Sequence, residues 1–449
     1  MIDEGYILKI EPKTRMTSLK LLVTRIQDIV LRLTRTFWLK LHLYVALSLG
    51  LLFAVLGVTG GLCVYADEID AWLHPEFRIT PVGQMQTPDR LLAAVKQAQP
   101  GRYGAWTLEM PRRPDAPLVA WFEKPRETTG AFYAPLMVAV NPYTGEVLGS
   151  RFWGQTLATQ LIDLHAQLQY EAEGRLWVAF LGAALSLIVL SGVYLWLPKR
   201  GDWRGVFALR LDAGLSRFLP DLHRWLGLLS AGPLLLLAFT GFNLAYPPLL
   251  ESLTASEGMG HGDAGPNVRS TALPSGKPIS LAEAVLVARG LFPSAEVRRI
   301  TTPQGDSGVY KINLRQKDEV NQHHPFTTVW LDRWSGQIRE VRNPHRFSEG
   351  QVFSAWMWPL HTGEAFGPWG RVLWFWIGFT PLVLFVSGMW RWLIRRGVAV
   401  DRVLLLAEVR RGVIVLSAWV WVGLVWIWRR VVWVVVWGYG KGRVWVKSR

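Results

Sequence analysis

The sequence predicts an integral-membrane, all-α bundle of four core helices, built from a duplicated span-domain-span unit with two small α+β domains on one side of the bilayer. Three observations carry this. Four apolar segments have the roughly 20-residue length that crosses a bilayer, each is introduced by a Leu-His pair, and the spacings inside them repeat. His42 lies 17 residues before Thr59-Gly60 and His223 lies 17 before Thr240-Gly241, whereas His165 lies 26 before Ser191-Gly192 and His361 lies 26 before Ser387-Gly388.

Taken in order, residues 1–41 form a basic leader and 42–66 a first span, with no cleavable signal peptide expected because the apolar run is long enough to stay as an anchor. Residues 67–173 form the first external domain, with a helix-like stretch from Pro88 to Ala98, strands at 118–122 and 136–140, and an Asn141-Pro142-Tyr143-Thr144-Gly145 turn leading into a short strand from Glu146. A span at 174–197, a loop at 198–223 and a third span at 224–247 follow. The second external domain, 248–369, repeats the pattern: helix from Ser280 to Leu291, strands at 308–313 and 327–331, then an Asp332-Arg333-Trp334-Ser335-Gly336 turn and a strand from Gln337. Its Gly/Ser/Pro-rich linker, Ala255 to Pro278, contains His261, read as a solvated loop histidine. The fourth span is 370–394. Residues 395–449 end in a tail built almost wholly of Val, Trp, Gly and Arg, which reads either as a fifth membrane segment or as a frameshifted end.

Composition agrees with membrane spans joined to folded parts: half of the 449 residues are hydrophobic and 25 are Trp. The net charge of +15 does not point to nucleic acid, because the cations flank the spans: Lys40, then Lys199, Arg200 and Arg204, then Arg391, Arg395 and Arg396. That bias puts the amino terminus, the 198–223 loop and the residues after 394 in the cytoplasm and both domains outside, which in a Gram-negative bacterium is the periplasm. The single cysteine, Cys63, excludes an intramolecular disulfide, a Cys-ligated iron–sulfur cluster and c-type haem attachment.

With this topology His42 and His223 fall at the cytoplasmic edge and His165 and His361 at the periplasmic edge. Neutral imidazole is a common axial ligand of haem iron, and facing helices can grip a flat macrocycle from both sides, so two b-type haems are expected, one per leaflet. Zinc fits less well, since structural zinc needs a compact tetrahedral set. Gly174-Arg175 and Gly370-Arg371 lie at matching offsets after His165 and His361, each followed by a tryptophan, Trp177 or Trp374. Arg175 and Arg371 read as partners of haem propionates or as interfacial anchors. The Thr-Gly and Ser-Gly pairs allow close approach of a helix or a planar ring. His323-His324 read as a surface pair, and His74 and His345 as loop or domain-edge residues. Trp356-Met357-Trp358 and Phe366 form an aromatic lip. No dinucleotide fingerprint, P-loop or nucleophile elbow is present, so the electron donor is expected to be separate, a quinol or a cytoplasmic reductase.

On Leu41-His42 with Thr59-Gly60, Leu164-His165 with Gly174-Arg175 and Ser191-Gly192, Asp221-Leu222-His223-Arg224-Trp225-Leu226-Gly227 and Leu360-His361-Thr362-Gly363-Glu364-Ala365-Phe366-Gly367, the chain resembles the PepSY-associated transmembrane family. The resemblance covers about residue 35 to 397 and omits the tail. It is strongest to the family's dihaem ferric-siderophore reductases. It implies PepSY-like external domains and a bacterial inner-membrane protein that passes electrons to Fe(III) held by a siderophore or another periplasmic chelate, releasing Fe(II). The competing reading is a haem-free PepSY protein that binds or regulates periplasmic proteases or ligands. A chelate transporter is disfavoured by the lack of intramembrane carboxylates and of matching broken helices.

Overall fold

The computed structural model describes residues 35–198, 207, 215–256, 259, 265–271 and 276–397. His261, most of the 198–223 loop and the Val/Trp-rich tail lie outside the described residues. In order come α1 (Arg35–Cys63), α2 (Ala66–Leu73), α3 (Pro88–Ala98), β1 (Thr107–Glu109), β2 (Leu118–Phe122), β3 (Leu136–Val140), β4 (Val147–Phe152), α4 (Leu157–Gln167) and α5 (Glu171–Trp196). The second half repeats this: α6 (Leu215–Ala245), α7 (Pro247–Thr254), α8 (Leu281–Leu291), β5 (Glu296–Thr301), β6 (Val309–Arg315), β7 (Thr328–Asp332), β8 (Ile338–Arg342), α9 (Glu349–Ala355), α10 (Met357–Thr362) and α11 (Gly367–Arg395). Two compact units divide the chain after Gly388, and the described part of the second is the end of α11.

Among the described residues α1, α5, α6 and α11 are long and apolar enough to cross a membrane. Their starts differ from the sequence reading. His42 lies two turns inside α1 and His223 lies inside α6, because helix continues through the basic flanks. His165 and His361 do not open spans at all; they ride on the short helices α4 and α10. Each short helix is stopped by a left-handed residue, Leu168 at φ 52° and Gly363 at φ 81°, which frees the chain to turn into the span.

Small residues close the bundle. Gly57 and Gly61 meet α11 so tightly that a Cβ on Gly57 would sit 2.4 Å from the Gly378 carbonyl oxygen and one on Gly61 2.8 Å from that of Phe375. Gly182 of α5 packs on the Ala238 carbonyl of α6 at 3.0 Å by the same measure. In lipid, where apolar side chains gain nothing by leaving their surroundings, such backbone approach is what holds helices together. Histidine bonds join α1 to α5 and α6 to α11, so the ring runs α1, α5, α6, α11, and α1 faces α6 across the axis. Arg35 completes the first pair by donating to the carbonyls of Leu195 and Leu197, otherwise orphaned at the end of α5.

Outside the bundle the sequence predicts two small domains, but the structure holds one eight-stranded antiparallel sheet, ordered β4-β3-β2-β1-β5-β6-β7-β8. The two strands missed in the sequence, β1 and β5, are the ones that join the halves. They pair Thr107 with Thr301, Leu108 with Ile300 and Glu109 with Arg299. β1 has three residues with one apolar side chain, too short for alternation to register. On the covered face Leu91, Val95, Trp106, Leu108 and Leu118 from the first half merge with Leu281, Ile300, Ile312, Leu314 and Leu331 from the second in one core. Asp89 of α3 also accepts the N–H groups of Leu281 and Ala282 at 2.8 and 2.9 Å, capping α8 across the duplication.

At the β7 turn the Asp332 carboxylate, 1% exposed, accepts N–H bonds from Thr271 at 2.7 Å, Trp334 at 2.9 Å and Ser335 at 3.1 Å, and is paired with Arg339. Burial opposes its charge, yet Arg339 and these amides hold its pKa below the ordinary carboxylate range. Its contribution to stability is therefore present above the unfolded pKa of about 4 and is lost as pH falls through the folded value. Asp332→Asn is expected to destabilise the sheet by about 3 kcal/mol at pH 7, with the gap to wild type narrowing in acid. Thermal melts followed by circular dichroism check this, and equal stability at pH 7 would refute it.

Candidate functional site

The four spaced histidines meet in two pairs along the bundle. Each imidazole is anchored through Nδ1 on a neighbouring helix. His42 donates from Nδ1 to the Ile188 carbonyl at 3.1 Å and to Ser191 Oγ at 3.0 Å. His223 does the same in the second half, to Leu384 at 3.0 Å and Ser387 Oγ at 3.0 Å. His165 Nδ1 reaches the Leu56 carbonyl at 3.0 Å, with Thr59 Oγ1 at 3.4 Å, and His361 Nδ1 reaches Thr240 Oγ1 at 2.9 Å. A carbonyl can only accept, so the bonds to Ile188, Leu384 and Leu56 put the proton on Nδ1 and the ring's lone pair on Nε2. A hydrogen bond from the far ring nitrogen to a carbonyl or hydroxyl is what fixes the tautomer and orientation of an imidazole that binds a metal.

The glycines of the small pairs are seats for these rings. A Cβ on Gly60 would lie 2.5 Å from His165 Cε1, on Gly241 2.9 Å from His361 Cε1, on Gly192 3.1 Å from His42 Cε1 and on Gly388 3.2 Å from His223 Cε1. The repeated spacings thus record an exchange: α1 gives His42 to the Ser191-Gly192 pair of α5, and receives on Thr59-Gly60 the His165 that precedes α5. The second half makes the same exchange between α6 and the α10–α11 segment.

Across the axis the rings of His42 and His223 stand 6.4 Å apart between centroids, and those of His165 and His361 6.0 Å apart. Two imidazoles on opposite sides of one metal, with metal–nitrogen bonds near 2 Å, place their centroids about 6 Å apart. Both pairs meet that dimension. Along α1, from His42 to the seat of His165 at Gly60, the pairs are separated by roughly 25 Å at 1.5 Å per residue. Among the described residues no group of three or more His, Cys, Asp or Glu could hold a metal ion.

The model of the PepSY-associated TM region matches residues 39–395, spanning all four helices and the sheet. The chain belongs to the PepSY-associated transmembrane family. No curated protein matches it.

In this family member the short helices that carry the sheet-side histidines are each held by a tryptophan hydrogen bond. The α4 helix that carries His165 is held by Asp163, which accepts from Trp153 Nε1 at 2.9 Å and Gln167 at 3.0 Å. The α10 helix is held by Trp374, whose Nε1 donates to the Leu360 carbonyl at 2.9 Å. Trp177 does not share that role; it is 55% exposed, because it stands one residue closer to its histidine than Trp374 does. Gly174 and Gly370 are equivalent: a Cβ would sit 1.8 Å from the Gln167 carbonyl oxygen or 2.2 Å from that of Gly363, two residues past each histidine. Their arginines differ. Arg371 is bound to the Val64 carbonyl at 2.6 Å and to Glu68 at 2.8 Å, whereas Arg175 lies over Phe132 and its buried Nε has no hydrogen-bond partner among the described residues.

A polar cluster links this end to the sheet seam, and the sequence did not reveal it because its members come from five separate segments. Glu364, three residues past His361, meets His323 Nδ1 at 2.9 Å; Arg112 contacts His323 and pairs with Asp67 at 3.3 Å and Glu109 at 3.4 Å. Arg299 pairs with Glu109 at 3.2 Å and reaches His324, which stands edge-on to Trp358 at 4.5 Å. Burial alone would raise the Glu109 pKa, but Arg299 and Arg112 hold it below the usual range. His323-His324 are therefore a half-buried junction rather than a surface pair, because the β6–β7 loop folds under the sheet instead of extending. Of the aromatic lip, Trp356 and Phe366 are exposed and Met357 is buried. His74 closes α2 beside Glu76, and His345 is exposed beside Asp318.

Proposed function

We propose that this protein is a dihaem b electron conduit of a bacterial inner membrane, passing electrons to a ferric siderophore or similar ferric chelate on the sheet side and releasing Fe(II). The observation that carries the reading is the pair of imidazole separations, 6.4 and 6.0 Å, each matching bis-histidine ligation of one iron, at two depths of an apolar bundle. His42 and His223 would hold one haem and His165 and His361 the other. Bound there, haem supplies one-electron iron chemistry.

The chain's own residues do the rest. Ser191, Ser387, Thr59, Thr240 and the backbone carbonyls orient the imidazoles and keep Nε2 available for ligation. Arg175, with its unpartnered Nε, would receive a propionate on the sheet side, whereas Arg371 is already held by Glu68. The exposed Trp356 and Phe366 flank the sheet-side end, where an acceptor must dock. The basic flanks support a cytoplasmic amino terminus, and the donor, a quinol or a cytoplasmic reductase, would act at the His42/His223 end.

Detergent-purified protein is expected to carry two b haems per chain by pyridine haemochrome, with a reduced-minus-oxidised Soret shift that a ferric chelate reverses. Protein expressed with ample haem yet lacking it would overturn the reading and favour the haem-free binding protein.

A further inference from the structure

The β5 strand carries one buried arginine that makes no close ion pair among the described residues. Arg298 is the extra residue of a β-bulge, where the β5–β6 register shifts between Val297 and Arg299, and its carbonyl accepts the Met110 N–H at 2.8 Å across the seam. The side chain is 5% exposed and its buried Nη2 has no hydrogen-bond partner among the described residues. The surrounding cations are otherwise paired: Arg315 with Glu296 at 2.5 Å, Arg299 with Glu109 at 3.2 Å and Arg112 with Asp67 at 3.3 Å and Glu109 at 3.4 Å. Burial and the like charges of Arg112 and Arg315 push the Arg298 pKa down to about 10 against the weaker opposing pull of Glu109 and Glu296, so at neutral pH it remains a cation. A buried guanidinium whose nearby carboxylates are already paired with other arginines is poorly compensated, and the planar fork of arginine matches the two oxygens of a carboxylate.

We propose that Arg298, with Arg112 beside it, is an anion receptor for a carboxylate group, and that this group belongs to the acceptor: the chelate reduced by this protein is carboxylate-bearing and anionic. The second clause rests on the conduit reading. Position supports it, because Arg112 contacts His323, which meets Glu364 three residues from His361. Arg112 lies two residues past Met110, whose N–H bonds the Arg298 carbonyl, so a carboxylate seated at Arg298 lies close to this junction.

The test uses the full chain in detergent, with iron-free citrate and inorganic phosphate as binding probes and ferric citrate as acceptor. Citrate is expected to raise the thermal midpoint of wild type and to bind Arg298→Gln at least tenfold more weakly. In anion-free buffer Arg298→Met is expected to be as stable as wild type or more so, since it removes an unpaired buried charge. A clearly less stable Met variant, or citrate affinity unchanged in the Gln variant, would overturn the receptor; tight phosphate binding without citrate binding would overturn the carboxylate assignment. If Arg298→Gln loses citrate binding but dithionite-reduced protein is still reoxidised by ferric citrate at the wild-type rate, the acceptor assignment fails. Absence of haem would instead sink the conduit reading and leave the citrate titration intact.

Discussion

His361→Ala is expected to abolish the sheet-side haem, leave the haem at His42 and His223 in place, and stop reoxidation by ferric chelate. Its ring stands 6.0 Å from that of His165, and the other pair is roughly 25 Å away along α1. His223→Ala is expected to do the reverse, keeping a haem that external ferric chelate can oxidise but that the native donor no longer reduces. Haem per chain should fall from two to one in each variant, with different haem signals surviving in a redox titration. Loss of both haems from either folded variant would contradict two independent sites.

Gly60→Ala should be nearly as damaging, although the residue binds nothing. Its Cβ would stand 2.5 Å from Cε1, 3.0 Å from Nδ1 and 3.3 Å from Nε2 of His165, so the whole imidazole must move. Overpacking of this kind costs about 1–3 kcal/mol, and here the strain falls on a ring proposed to ligate haem. The variant is expected to retain the sheet-side haem at least tenfold less well than wild type. Gly388→Ala offers the internal control, because its Cβ would lie 3.2 Å from His223 Cε1 and needs a shift of only a few tenths of an ångström. There the gain in helix propensity, about 1 kcal/mol, offsets the crowding, and haem content should stay near wild type. Equal losses from the two variants, measured as haem per chain, would rule out the seat assigned to these glycines.

The same comparison shows what could be read from the chain. The spacing of histidine to Thr-Gly or Ser-Gly was visible as a repeat, and a repeat is legible because it needs no knowledge of contacts. Its meaning was not: His42 touches Ser191, not the Thr59 counted from it. Arg175 and Arg371 looked alike in sequence and differ in space, since Glu68 comes from another helix to hold only the second. The Arg112, His323 and Glu364 junction left no local signal, because a polar residue in a loop reads the same whether it meets water or another loop.

By itself, the sequence determined the four membrane-spanning helices, the duplicated order of elements and the identity of the paired histidines. These follow from hydropathy, helical length and spacing, which act along the chain. Tertiary structure alone decided that the two external units form one sheet, that each imidazole is seated on the opposite helix of its half, and that the rings of each pair stand about 6 Å apart. Such outcomes depend on edge pairing through β1 and β5 and on glycine contacts between helices, interactions whose partners, such as Gly57 and Gly378, lie more than 300 residues apart, beyond the reach of any local pattern.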